Sequence, residues 1–130
     1  MIKRNYTSNI IITILPHLCG IYYTYDNFVY SSIITISTIT SVLWHRTKEQ
    51  DNTLLFLDYS TATILSLYEL YTTYYSSLFK LTLFLNLSVL FFNKSVYFLS
   101  KNRILNYNKW HSIYHILSSI KTIVVASFNN

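Results

Sequence analysis

Residues 28–45 read FVYSSIITISTITSVLWH, a stretch without Asp, Glu, Lys or Arg. A helix needs about 20 mostly apolar residues to cross the hydrocarbon of a bilayer, and this stretch meets that length to within a turn. Asp26-Asn27 before it is a pair of good turn formers. Arg46 to Asn52 after it is a polar loop in which Lys48, Glu49 and Asp51 are expected to be hydrated. Segments of the same kind divide the rest of the chain at about 9–25, 53–75, 77–99 and 109–128. Lys80, Asn86, Asn93 and Lys94 interrupt the fourth, and Lys101 to Asn108 reads as a basic loop before the fifth. The expectation is an all-α, multi-pass transmembrane bundle of about five helices, forming one domain over residues 1–130.

Composition points the same way. Of the 130 residues, 52% are hydrophobic and 12% are charged, and the mean hydropathy is +0.30. A soluble domain carries roughly 25% charged residues, so this chain has too little charge to cover an aqueous surface. Thirteen Tyr suit membrane interfaces, where the ring lies among headgroups and the hydroxyl stays wet. Cys19 is the one cysteine, which excludes an intrachain disulfide. The net charge of +5 is spread over the loops and forms no basic stripe interleaved with aromatics, so no nucleic-acid partner is expected.

Five alternating crossings put the N-terminus, the 46–52 loop and the 100–109 loop on one side. Lys3, Arg4, Arg46, Lys48, Lys94, Lys101, Arg103 and Lys109 collect there, eight of the 10 basic residues. The positive-inside rule then places the N-terminus in the cytosol and the C-terminus outside or in a lumen. The first segment follows Lys3 and Arg4 as a signal peptide would, but the bulky Tyr22-Tyr23-Thr24-Tyr25 offers no cleavage site. It is expected to stay as an anchor. Glu69 is expected near the far interface and hydrated, and Lys121 is placed to snorkel toward the far end.

Ionisable groups at membrane depth are costly and mark functional sites. His45 ends the second segment, Asp58 lies about 7 Å into the third at 1.5 Å per residue, and His111 and His115 open the fifth. Ser41 sits one turn before His45. The parity of the crossings puts all five in one shallow layer at the cytosolic face. Residues at i and i+4 share a helix face with Cβ atoms about 6 Å apart, so His111 and His115 suit one ion. Zinc in a catalytic site takes three protein ligands and leaves a position for water, and His45 supplies the third nitrogen. Asp58 is then placed to deprotonate a water, and Ser41 to donate to a developing oxyanion. His17, beside Pro16, matches no partner and reads as incidental.

At these residues the chain resembles the CREST superfamily of membrane hydrolases, which includes the alkaline ceramidases and the progestin/adipoQ, haemolysin III-like proteins. Their shared pattern is a Ser-x-x-x-His at the end of the second helix, an Asp early in the third and a His-x-x-x-His in the last. Here these are Ser41-Val-Leu-Trp-His45, Leu57-Asp58-Tyr59-Ser60 and His111-Ser-Ile-Tyr-His115. The resemblance covers the second, third and fifth segments, roughly half the chain. It implies zinc on His45, His111 and His115, assisted by Asp58 and Ser41, and hydrolysis of an amide in a membrane lipid such as ceramide. The family has seven crossings, so this chain would be a shortened form: either a second copy closes its lipid cavity, or the substrate is smaller, or catalysis has been lost.

The function expected is therefore a zinc-dependent integral membrane hydrolase that cleaves a lipid amide. The alternative is a zinc-stabilised receptor-like or interaction protein without turnover, which the same ligands serve. Two further readings stay open. One is a haem carrier with two axial histidines, which leaves Asp58 and the third histidine unexplained. The other is a small membrane protein whose histidines are incidental.

Overall fold

The computed structural model describes residues 9–47, 49–95, 101 and 103–129, and among these it is all-helical. α1 (Asn9–Ile14) passes through a 3-10 turn (Leu15–His17) into α2 (Leu18–Tyr23), and α3 (Phe28–Arg46), α4 (Asn52–Thr73), α5 (Phe79–Asn93) and α6 (Ile104–Phe128) follow. Two helix starts are capped by their own sequence. The Asn27 side chain accepts from Tyr30 N–H at 3.0 Å, and Asp51 accepts from Thr53 and Leu54 N–H at 2.8 and 3.1 Å. Pro16 has no N–H to give, so the first rod tightens into 3-10 geometry there.

α1 and α2 lie between α3 and α6, α3 packs on α4, α4 on α5, and α5 on α6. These contacts close the ring, and across it α4 and α6 touch little. Gly20, the one glycine of the chain, lets α2 approach its neighbours, since a Cβ there would stand 3.0 Å from Thr122 Cγ2 and 3.2 Å from Ile34 Cδ1.

Burial is inverted relative to a water-soluble domain. Buried polar and charged residues outnumber buried hydrophobic ones among the described residues, while Phe28, Phe56, Phe84 and Leu90 stand outside. The buried stripe of α6 shows the pattern best: Tyr107, His111, His115, Ser119 and Thr122 recur at helical spacing. A small apolar cluster of Tyr30, Ile34, Leu65, Val125 and Ala126 fills the end of the bundle away from the histidines. One described helix, α3, is long and apolar enough to cross a membrane, and Ile10–Tyr23 and Phe79–Asn93 are apolar but shorter. α4 and α6, of 22 and 25 residues, have the length, but their inward polar stripes lower their apolarity.

Four expectations need correction. Glu69 is not hydrated at an interface. It is 0% exposed, because it shares the inner face of α4 with Leu65 and Thr73 at intervals of four. Lys121 does not snorkel; its Nζ lies 2.6 Å from Glu69 Oε2 and donates to Ser66 Oγ and Asn86 Oδ1 at 3.0 and 3.2 Å. Tyr30 and Thr122 hydroxyls donate to Glu69 Oε1 at 3.1 and 2.7 Å, so four helices meet at this pair. Glu49 is also not hydrated, as its side chain is 1% exposed. Finally, the last helix begins at Ile104 rather than at 109, since no Gly or Pro interrupts 104–108 and Tyr107 packs inward. The expected fourth segment ends at Asn93 in α5, and residues 96–100 of it lie outside the described residues.

Removing one partner of a buried ion pair strands the other charge and costs about 3–5 kcal/mol, whereas replacing both is often close to neutral. Glu69→Leu and Lys121→Met are each expected to destabilise by that amount. The double variant should regain most of it in thermal unfolding of the purified protein.

Candidate metal centre

The last turn of α3 presents His45 inward beside Trp44, their rings 4.7 Å apart, and the second and third turns of α6 present His111 and His115. All three histidines are buried, and one ligand nitrogen from each lies within 4.8 Å of the others. His45 Nε2 and His115 Nε2 are 3.1 Å apart. Nitrogens on a tetrahedral zinc with bonds of 2.0–2.1 Å stand roughly 3.3 Å apart, so this pair already has the right separation. His111 uses Nδ1 to meet Ser95 Oγ at 2.9 Å and leaves Nε2 buried without a hydrogen-bond partner. An unpartnered imidazole nitrogen in a dry interior is costly unless something is bound to it.

Aromatic packing holds the rings. Tyr107 and Tyr114 stack on opposite sides of His111 in sequence, with centroids 4.8 and 5.2 Å away and planes within 24° and 20°. The His111 and His115 rings meet edge to face at 4.6 Å, and the His45 and His115 rings at 5.2 Å.

Beside the histidines lies a cavity of about 20 Å³ whose walls include Ser41, Asp58, His115, Tyr114, Ala62 and His17. A water needs about 10–15 Å³ of such space and two to four polar partners, so the cavity suits one water. Asp58 is 8% exposed, and its carboxylate is in electrostatic contact with Ser41 and His45. The Ser41 hydroxyl is buried, with the Asp58 carboxylate as its polar neighbour. The five residues singled out in the sequence therefore come together at one end of the bundle.

The sequence reading missed the residues behind them. His17 is not incidental: the 3-10 turn aims it inward, where Nδ1 meets Ser119 Oγ at 2.8 Å and Ile14 O at 3.0 Å, and Nε2 meets Ser118 Oγ at 3.1 Å. Ser119 also donates to the His115 carbonyl at 2.8 Å, tying the fourth histidine to the third. An imidazole next to Pro16 inside an apolar segment was the signal that was there to find. Ser95 carried no signal of its own, since serine is common throughout the chain.

A second, larger cavity of about 230 Å³ lies between α4 and α5, with Tyr114 of α6 also on its wall. Its walls include Leu67, Leu70, Val89 and Leu90, and the buried Oδ1 of Asn93, which has no partner, is also on it. Ala62 and Tyr114 line both cavities, so these two side chains stand between them.

No protein-family model, curated protein or solved structure matches the chain.

The geometry separates the three clustered histidines from the fourth. His111→Ala and His115→Ala are each expected to abolish uptake of a divalent metal, read by elemental mass spectrometry of purified protein. His17→Ala should retain it. Metal loss in the His17 variant alone would put the site elsewhere.

Proposed function

We propose that this protein is a zinc-dependent integral membrane hydrolase that cleaves an amide bond in a lipid. One observation carries the reading: three buried imidazoles converge beside a water-sized cavity walled by a carboxylate and a buried hydroxyl. A merely structural zinc site is closed by four protein ligands. Among the described residues three stand within reach of one another, with room for a water beside them.

Membrane embedding is supported by the inverted burial. An interior of paired polar groups under an apolar outer surface suits lipid better than water, because lipid leaves every polar group to be satisfied within the protein. Thr35, Thr63 and Ser88 fit that demand by donating to carbonyls four residues back in their own helices, at 2.8, 2.8 and 3.0 Å. The loop charges orient the histidine end to the cytosol by the positive-inside rule. The resemblance to the CREST hydrolases rests on the same five residues and supports the same chemistry.

His45, His111 and His115 would hold the metal. Bound zinc supplies a Lewis acid that polarises a carbonyl and lowers the pKa of water toward ~7. The chain's own residues do the rest. Asp58 takes a proton from the water in the small cavity and returns it to the departing amine. Ser41, beside Asp58, donates to the carbonyl oxygen as charge builds on it. The larger apolar cavity gives the substrate's hydrocarbon a place in line with that carbonyl, past Ala62 and Tyr114.

The smallness of the inner cavity favours a second reading, a zinc-stabilised receptor-like protein without turnover. Release of labelled fatty acid from an N-acyl lipid separates the two. On the hydrolase reading the reconstituted wild type releases it, chelation stops the release, and Asp58→Asn keeps its zinc while losing about 10²–10⁴-fold in rate, the usual size of a general-base contribution. Full activity in zinc-loaded Asp58→Asn would remove Asp58 as the base. No release by zinc-loaded wild type would leave the receptor-like reading.

A further inference from the structure

We propose that Glu49 is a positioning residue of the metal centre: it holds His45 in the tautomer that turns the Nε2 lone pair toward the ion. The inference rests on reading the three histidines as a metal centre. Glu49 lies in the connection between α3 and α4, outside the five-residue pattern, where a charged residue is expected to face water.

The backbone is the first sign. Glu49 has φ 58°, and it is the one non-glycine residue with positive φ among the described residues. Glycine or asparagine usually takes such a position after a helix, because a Cβ is strained there. The strained turn closes α3, with Glu49 N–H donating to Trp44 O at 3.2 Å. It also folds the carboxylate back over the last turn, four residues after His45. Strain of this kind persists where the surroundings over-determine it, and it clusters at functional sites.

The side-chain contacts show what determines it. Glu49 Oε1 lies 2.7 Å from His45 Nδ1 and accepts from the Tyr107 hydroxyl at 2.6 Å. A carboxylate can only accept. His45 Nδ1 must therefore carry the hydrogen, and in the neutral ring Nε2 is left as a lone pair directed at His115 Nε2, 3.1 Å away. That is the tautomer a ligand needs, and a carboxylate behind a ligating imidazole fixes the ring and raises its basicity. Tyr107 extends the arrangement, because the hydroxyl that meets Glu49 belongs to the ring stacked on His111. One carboxylate thus orients two of the three ligands, reaching them from a loop, α3 and α6.

The test compares zinc affinity and zinc-free stability in wild type, Glu49→Ala, Glu49→Gln and Tyr107→Phe. Glu49→Ala is expected to bind zinc 10–100-fold more weakly, the usual cost of losing such a partner. Glu49→Gln keeps an acceptor for His45 and should recover part of the loss. Should Glu49→Ala fail to fold, Glu49→Gln and Tyr107→Phe carry the comparison, each expected to weaken zinc. A second readout is ¹⁵N NMR of histidine-labelled, zinc-free protein: His45 should be in the Nδ1–H form in wild type and mixed in Glu49→Ala. A residue that only caps α3 would lower zinc-free stability and leave both the zinc affinity and the tautomer as they are. Equal zinc affinity in wild type and the Glu49 variants, or His45 in the Nε2–H form in wild type, overturns the assignment. Wild type that takes up no zinc overturns the metal-centre reading itself, a different result from zinc bound equally by every variant.

Discussion

The rest of the structure depends on one constraint: the polar stripe of α6 must find all its partners inside the bundle. Tyr107, His111, His115, Ser119, Lys121 and Thr122 are buried in one helix, and each buried polar group costs free energy until it is matched. Every neighbouring helix answers one of them. α3 brings His45 to the histidines, the 3-10 turn brings His17 to Ser119, and α4 brings Glu69 to Lys121 and Thr122. α5 adds Asn86 to Lys121. The packing order around the ring is the order in which these demands are met. The apolar cluster at Tyr30 and Val125 is too small to set that order alone.

The same constraint explains why the two ends of the bundle differ. At the far end the charges are complementary, so Glu69 and Lys121 neutralise each other and take hydroxyls for their remaining bonds. At the near end three imidazoles face one another with carboxylates behind and beside them. Neutral rings at that separation cannot satisfy one another fully, and His111 keeps an unpartnered nitrogen. One end is a closed polar knot; the other keeps a ligand nitrogen without a partner. That asymmetry is what distinguishes a site from a structural pair.

Depth was legible in the sequence, and direction around each helix was not. Asp26-Asn27 and the polar run from Arg46 mark turns because their chemistry is local, and both connections lie there. The spacing of His111 and His115 and the distance of His45 and Asp58 from their helix ends also fix a level along the bundle. Glu69 and Lys121 have levels too, but nothing in a single sequence says that both face inward or that residues 52 apart meet. Their inward aim comes from Thr73, Leu65 and Thr122 on the same faces, a pattern that hides among many other Ser and Thr. Glu49 and His17 were hidden for another reason. Each depends on a backbone departure, a positive φ in one case and a 3-10 turn in the other, and helical periodicity does not describe either.

The space between α4 and α5 links the architecture to the proposed chemistry. α6 packs more on α5, α1 and α2 than on α4, which it meets through Glu69–Lys121, Glu69–Thr122 and Ser66–Lys121. Ser66 and Asn86, which hold Lys121, also line the larger cavity. Tyr114 lines it too, stacked on His111 and shared with the water-sized cavity. On the proposed hydrolase reading, a substrate whose hydrocarbon lies in this space would bring its carbonyl to Asp58 and Ser41 past Ala62 and Tyr114. That ring is also one of the two stacked on His111, so one side chain borders the cavity and packs on a candidate ligand. The second ring, Tyr107, is tied to Glu49 instead, so the two rings packed on His111 answer to different surroundings, one to a carboxylate and one to a cavity wall.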